Sequence, residues 1–229
     1  MPRTVVVAGV GETLGTALAR EFADAGDRVA LLARSADLVE SEAATIRESG
    51  GEAVAVTGDV TDPDAVDSAF AAVRDAFGSV DVLIHNASAP GAGDPLDADP
   101  AEFARPWRVR TFGGFLCARA VLPAMRESGG TVLFSGTTLS AEGSARLPDW
   151  SSAAHATRGF ARSLARRYGP DGVHVAYVTI GGTVAPPDGH VTEERMDPAR
   201  VAEAFRHLAD QDDSAWTHEL DLRPKDRPA

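Results

Sequence analysis

Short apolar runs alternate along the chain with longer stretches in which apolar residues recur every third or fourth position, and this alternation predicts the elements. The first run, Thr4–Ala8, is five residues of small and β-branched character. Such a run suits a strand covered on both faces of a parallel sheet. Comparable runs at Arg28–Ala33, Ala53–Thr57, Val80–Ile84, Thr131–Phe134 and Val173–Thr179 predict further strands, and Glu219–Leu222 a short last one. Helical spacing covers Thr16–Ala23, Ala36–Ser49, Pro63 to about Phe77, Ala101–Arg126, Trp150–Tyr168 and Pro198–Gln211. Local punctuation agrees: Gly50-Gly51 stops the second of these helices, Thr61 or Asp62 caps the third with Pro63 in its first turn, and Gly169-Pro170 closes the fifth. The Gly-, Pro- and Asp-rich segment 90–100 reads as a loop.

Strand and helix in alternation predict an α/β fold, a doubly wound parallel sheet of the Rossmann type. At 229 residues the chain fits one such domain with a sizeable core. No apolar run reaches the roughly 18 residues that span a bilayer, and the N-terminus enters the first strand without a signal pattern. The expectation is a cytoplasmic protein with no membrane partner. A net charge of −12 argues against nucleic acid, which basic patches bind. The single cysteine, Cys117, excludes an internal disulfide and reads as a buried structural thiol; no metal site is expected.

Ligands of such sheets bind beyond the carboxyl ends of the strands. The first strand runs into Gly9-Val-Gly11-Glu-Thr13-Leu14-Gly15 and then a helix, so a tight turn and a helix N-terminus meet where a phosphate is the natural guest. Arg34-Ser35 ends the second strand. An acidic residue there would take a ribose 2′-hydroxyl, whereas an arginine favours a 2′-phosphate, so Arg34 points to NADP over NAD. Asp59, Asn86, Thr137 and Gly182 also follow strands and converge on the same rim.

From Val5 to Pro224 the order and spacing of these motifs resemble the short-chain dehydrogenase/reductase family. Ala8–Gly15 is similar to that family's Thr-Gly-x-x-x-Gly-x-Gly, with Thr13 in place of the middle glycine and Gly11 added; the Thr13 hydroxyl is then a candidate phosphate donor. Asp59-Val60 matches the pair that contacts adenine, Asn86-Ala87 the core of Asn-Asn-Ala-Gly, and Gly181-Gly182 the Pro-Gly beside the nicotinamide. The resemblance implies cofactor contacts from Gly9, Gly11, Thr13, Leu14, Gly15, Arg34, Ser35, Asp59, Val60, Asn86, Ala87 and Gly182. It also implies a small-molecule substrate, bound in part by the loop 182–197, and a homodimer or homotetramer paired through the two long helices.

The catalytic positions depart from the family pattern of Asn, Ser and Tyr-x-x-x-Lys. The only tyrosines are Tyr168 and Tyr177 and the only lysine is Lys225, so no such dyad exists. The matching stretch Ser151-Ser-Ala-Ala-His155 leaves Ser151 for the tyrosine and His155 for the lysine, with Arg110 at the asparagine and Thr137 at the serine. One expectation is a Ser151–His155 pair at i and i+4, its imidazole serving as acid or base. The other is a helix face that has lost the usual chemistry. Thr137 can hold a substrate carbonyl and Arg110 can clamp an anion, while His85 reads as structural and Trp150 as pocket wall. Three functions stay open: an NADP-dependent oxidoreductase of carbonyl, alcohol or imine substrates with an atypical proton donor; a non-redox cyclase, dehydratase or isomerase; and an inactive binding partner.

Overall fold

β1 (Thr4–Ala8) is an inner strand of a parallel sheet, with β2 (Arg28–Ala33) on one side and β4 (Val82–His85) on the other. The computed structural model describes residues 2–186 and 195–226. β3 (Glu52–Thr57) flanks β2, and β5 (Gly130–Thr137), β6 (Val173–Ile180) and a last strand (Glu219–Leu222) extend the sheet beyond β4. The winding therefore reverses between β1 and β4. At that point the loops leaving the two strands diverge, and a crevice opens at their carboxyl ends.

Alternate residues of each strand feed two cores. Val5 and Val7 pack with Leu18, Phe22, Val39 and Phe205 from α1 (Leu14–Asp24), α2 (Ala36–Glu48) and a C-terminal helix (Pro198–Ala209). Val6 and Ala8 face the opposite layer, where α3 (Pro63–Phe77) contributes Phe70 and later helices contribute Leu116, Met125 and Leu164. Cys117 is buried there, and burial pushes its thiol up to about 12, which leaves it inert.

The predicted helix Ala101–Arg126 is three pieces: α4 (Pro100–Trp107), a single wide π turn (Arg108–Phe112) and α5 (Gly113–Ser128). Pro106 removes a backbone donor just before the wide turn, and Gly113 and Gly114 just after it let the chain pass closely over the sheet. A Cβ on Gly113 would stand 2.9 Å from the Val60 side chain, and one on Gly114 3.0 Å from the Phe134 ring. The next helix, α6 (Pro148–Tyr168), starts two residues before the predicted Trp150. Two-residue strands β7 (Thr183–Val184) and β8 (Arg195–Met196) pair with each other before α7 (Pro198–Ala209), and β9 (Glu219–Leu222) closes the main sheet. Residues 187–194 of the expected substrate loop lie outside the described residues.

Candidate functional site

The turn after β1 is fixed by close backbone packing. Gly9 sits at φ +100° and its N–H donates to the Leu32 carbonyl at 2.8 Å. A Cβ at Gly9 would meet the Ala87 nitrogen at 2.3 Å, and one at Gly15 would meet Val10 Cα at 2.7 Å. Gly11 has open space around it. Asn86 ties the two loops together: its N–H donates to the Ala8 carbonyl and its Nδ2 to the Gly9 carbonyl, at 2.8 and 2.9 Å. Thr13 stands at the N-terminus of α1 without capping it, which leaves the unpaired first-turn N–H groups and the Thr13 hydroxyl for an anion.

A cleft of about 650 Å³ opens over this turn. Gly9, Gly11, Thr13, Gly15, Arg34, Ser35, Asp59, Val60, Asn86 and Ala87 line it. Arg34 is exposed and makes no ion pair among the described residues. The Ser35 hydroxyl caps α2 by accepting from the Leu38 N–H at 3.4 Å. Asp59 Oδ1 accepts from the backbone and hydroxyl of Thr61, both at 2.8 Å, so the carboxylate is held at the rim. Two expected positions fall elsewhere. The Leu14 side chain is buried among α1 core residues, and Gly182 packs against Pro224 and Met196, away from the cleft. Besides Val10, Leu32, Ala33 and Gly58, which border the expected positions, sequence reasoning missed Ser88, Ala89, Pro90, Arg105 and Val109. The latter positions come from the loop and helix between β4 and β5, where no period or motif marks a cleft-facing residue.

Arg110, Thr137, Ser151 and His155, the expected catalytic residues, do not line this cleft. Ser151 and His155 do not pair through their side chains. The Ser151 hydroxyl donates to the Leu139 and Glu142 carbonyls at 3.0 Å each, whereas exposed His155 donates through Nδ1 to the Ser151 carbonyl at 2.9 Å. Because α6 begins at Pro148, the side chain it lays on Arg110 is Trp150, with the guanidinium carbon 5.1 Å from the indole; buried Ala154 lies one turn further along that face. Arg110, in the wide turn, is 5% exposed and donates to Ser88 Oγ at 2.8 Å and the Ser135 carbonyl at 3.2 Å. Its pKa is lowered by burial, which the Tyr177 phenol opposes, but a guanidinium remains a cation throughout the working range. Thr137, at the end of β5, is buried; its N–H donates to the Tyr177 hydroxyl at 3.3 Å and its Oγ1 accepts from the Leu139 N–H at 3.4 Å.

His85 packs at the floor of this network. Its Nε2 donates to the Val109 carbonyl at 3.2 Å, an acceptor that fixes the tautomer and leaves Nδ1 without a partner among the described residues. Burial, reinforced by the charge of Arg110, pushes its pKa down to about 4. The unfolded imidazole takes a proton near pH ~6.5 whereas the folded one waits until about 4, so stability is full above ~6.5 and falls as pH drops between the two values. The loss should approach roughly 3 kcal/mol. Urea midpoints measured across this window should slope downward with acidification, and His85→Phe should flatten the slope; equal slopes in both proteins would refute the assignment.

Residues 3–196 match the family model for short chain dehydrogenase. Versicolorin reductase stcU of Emericella nidulans is 32% identical over 78% of this chain and 68% of its own. The (+)-cis,trans-nepetalactol synthase NEPS1 of Nepeta racemosa is 29% identical over 96% of this chain and 88% of its own. Among solved structures, an alcohol dehydrogenase from the archaeon Thermococcus sibiricus, complexed with 5-hydroxy-NADP, superposes with a TM-score of 0.92 at 26% identity, covering 100% of this chain and 99% of that one. The reversed winding, the glycine turn locked against Asn86-Ala87 and these matches together place the chain in the short-chain dehydrogenase/reductase family.

Proposed function

We propose that the protein is an NADP-dependent oxidoreductase acting on a small carbonyl, alcohol or imine substrate, with a proton donor other than the Tyr-x-x-x-Lys dyad. The observation that carries this reading is Arg34, exposed and without an ion pair among the described residues, on the same cleft as the glycine turn. The cradle fits the cofactor: Gly9 and Gly15 leave no room for a Cβ, and the α1 N-terminus and Thr13 offer donors to a pyrophosphate. Asp59, Val60, Asn86 and Ala87 would flank the nucleoside, and Arg34 with Ser35 the 2′-phosphate. The nicotinamide, when bound, supplies the hydride chemistry. Solved relatives crystallised with 5-hydroxy-NADP, NADP and NADPH support the choice of cofactor.

The chain's own contribution to the proton step is reduced. Trp150 covers Arg110 and Ala154 follows four residues on along α6, and neither titrates. Thr137 and Arg110 are the polar groups left to steady a substrate oxygen, and water in the open cleft completes the proton transfer. The outer faces of α5 and α6, where half-exposed Phe115 adjoins Phe160 and Tyr168, support self-association as in the family resemblance.

Fluorescence titration of the full chain should give NADPH binding at least tenfold tighter than NADH, and Arg34→Ala should erase most of that ratio. Equal affinities in the unsubstituted protein, or binding of neither nucleotide, would sink the reading. A second reading is a non-redox enzyme on the same scaffold, supported by the missing dyad and by the synthase among the relatives. Its mark is product formation without change in nicotinamide absorbance.

A further inference from the structure

Arg110 is a buried cation among neutral groups. Nη1 donates to Ser88 Oγ, Nη2 to the Ser135 carbonyl, and Nε has no partner among the described residues. The indole of Trp150 covers the guanidinium, and its own Nε1, also buried, has no partner among them either. The Tyr177 phenol faces Arg110, and His85 beside it is neutral. Asp149, next to Trp150 on α6, makes no ion pair with Arg110; its Oδ2 accepts from the Ala92 N–H at 2.6 Å. A guanidinium removed from water without a counter-charge is costly to the fold, and two orphaned donors in the same stack add to that cost.

One of these contacts reaches the open cleft. Ser88 is exposed, lines the cleft wall and accepts from Arg110 Nη1 at 2.8 Å, so an anion lodged at Ser88 lies one hydroxyl away from the buried guanidinium. We propose that the cleft at Ser88 binds a substrate carboxylate, with Arg110 behind the wall as its counter-charge and Ser88 as the point of entry. The substrate class is then a carboxylate-bearing carbonyl compound. This rests on the oxidoreductase reading for the carbonyl; the anion site itself stands on Arg110 and its surroundings. A plain structural role, in which Arg110 only braces the Ser88 loop against β5, predicts no preference between charged and neutral ligands.

Benzoate and benzamide are matched in shape and differ in charge. Titrated by thermal shift into the full chain at constant ionic strength, with and without NADPH, benzoate should bind at least tenfold more tightly than benzamide. Arg110→Met should abolish the difference and Arg110→Lys should keep part of it. Equal effects of the two probes on the unsubstituted protein would overturn the proposal, and that comparison needs no variant to fold. So would a benzoate preference that survives in Arg110→Met, since the anion would then sit elsewhere. NADPH titration of the same samples separates the two readings. Intact NADPH binding without a benzoate preference removes the carboxylate site alone, whereas a benzoate preference in a chain that binds no nicotinamide nucleotide removes the cofactor alone.

Discussion

Gly9→Ala is expected to cost several kcal/mol of stability and at least an order of magnitude in NADPH affinity, while Gly11→Ala, two residues on, leaves stability unchanged within about 0.5 kcal/mol. Two penalties coincide at Gly9. Its φ of +100° is strained for any residue with a Cβ, and that Cβ would lie 2.3 and 2.4 Å from the nitrogen and Cα of Ala87. Those atoms cannot retreat, because Asn86 is bonded to both the Ala8 and Gly9 carbonyls. Relief must come from opening the junction of the β1 and β4 loops, which is the floor of the cleft. Gly11 has neither a positive φ nor a neighbour within 4 Å of its would-be Cβ. Urea unfolding and NADPH titration of the two variants provide the check. A Gly9→Ala protein with an unshifted midpoint and unshifted affinity would mean that this junction does not shape the site.

The contrast between the two glycines also marks how far the sequence could be read. The inner strands were legible because they are buried on both faces and so appear as unbroken apolar runs, whereas the partly buried edge strand Glu219–Leu222 falls where its short alternating run places it. The rim was legible through topology: residues directly after parallel strands must lie on one edge, and ten of the twelve expected cofactor positions line one cleft. Gly182 escapes because the chain leaves β6 toward β8 and the C-terminal segment, a direction no local pattern encodes. The orientation of the α6 face was not legible. An i, i+4 spacing fixes that two residues share a helix face but not which way the face looks, and Ser151/His155 and Trp150/Ala154 satisfy it equally. Packing decides between them, since the Ser151 hydroxyl is taken by the Leu139 and Glu142 carbonyls and Trp150 by Arg110. The wide turn that buries Arg110 left no trace either, because a one-residue expansion of a helix barely alters its apolar period.

Gly136 carries the other large effect, and it too concerns a residue that pattern alone passes over. The predicted strand Thr131–Phe134 stops short of Ser135-Gly136-Thr137, yet β5 continues through Thr137, and Gly136 is there because the Tyr177 ring from β6 lies across it. A Cβ at Gly136 would stand 2.2 Å from Tyr177 Cζ, 2.3 Å from Cε1 and 2.5 Å from the hydroxyl. Tyr177 is 1% exposed and its hydroxyl accepts from the Thr137 N–H, so the ring has nowhere to turn. Gly136→Ala should therefore destabilise by roughly 3 kcal/mol or more, at or above the upper end of ordinary overpacking. The backbone at Gly136 is not in the left-handed region, which makes the clash one of side chains alone and so removable. A leucine at 177 ends short of the offending ring atoms. Tyr177→Leu by itself should cost about 2–4 kcal/mol for the lost ring and cavity. Adding Gly136→Ala to it should then cost little, giving a coupling of about 2 kcal/mol or more in a double-mutant cycle by urea unfolding. Additive costs would show that the two positions do not meet. The same cycle followed through benzoate binding reaches the chemistry: Tyr177 touches the Thr137 amide and faces Arg110, so a displaced ring disturbs both groups at once, whereas Tyr177→Leu leaves the guanidinium with one fewer polar neighbour and its charge intact.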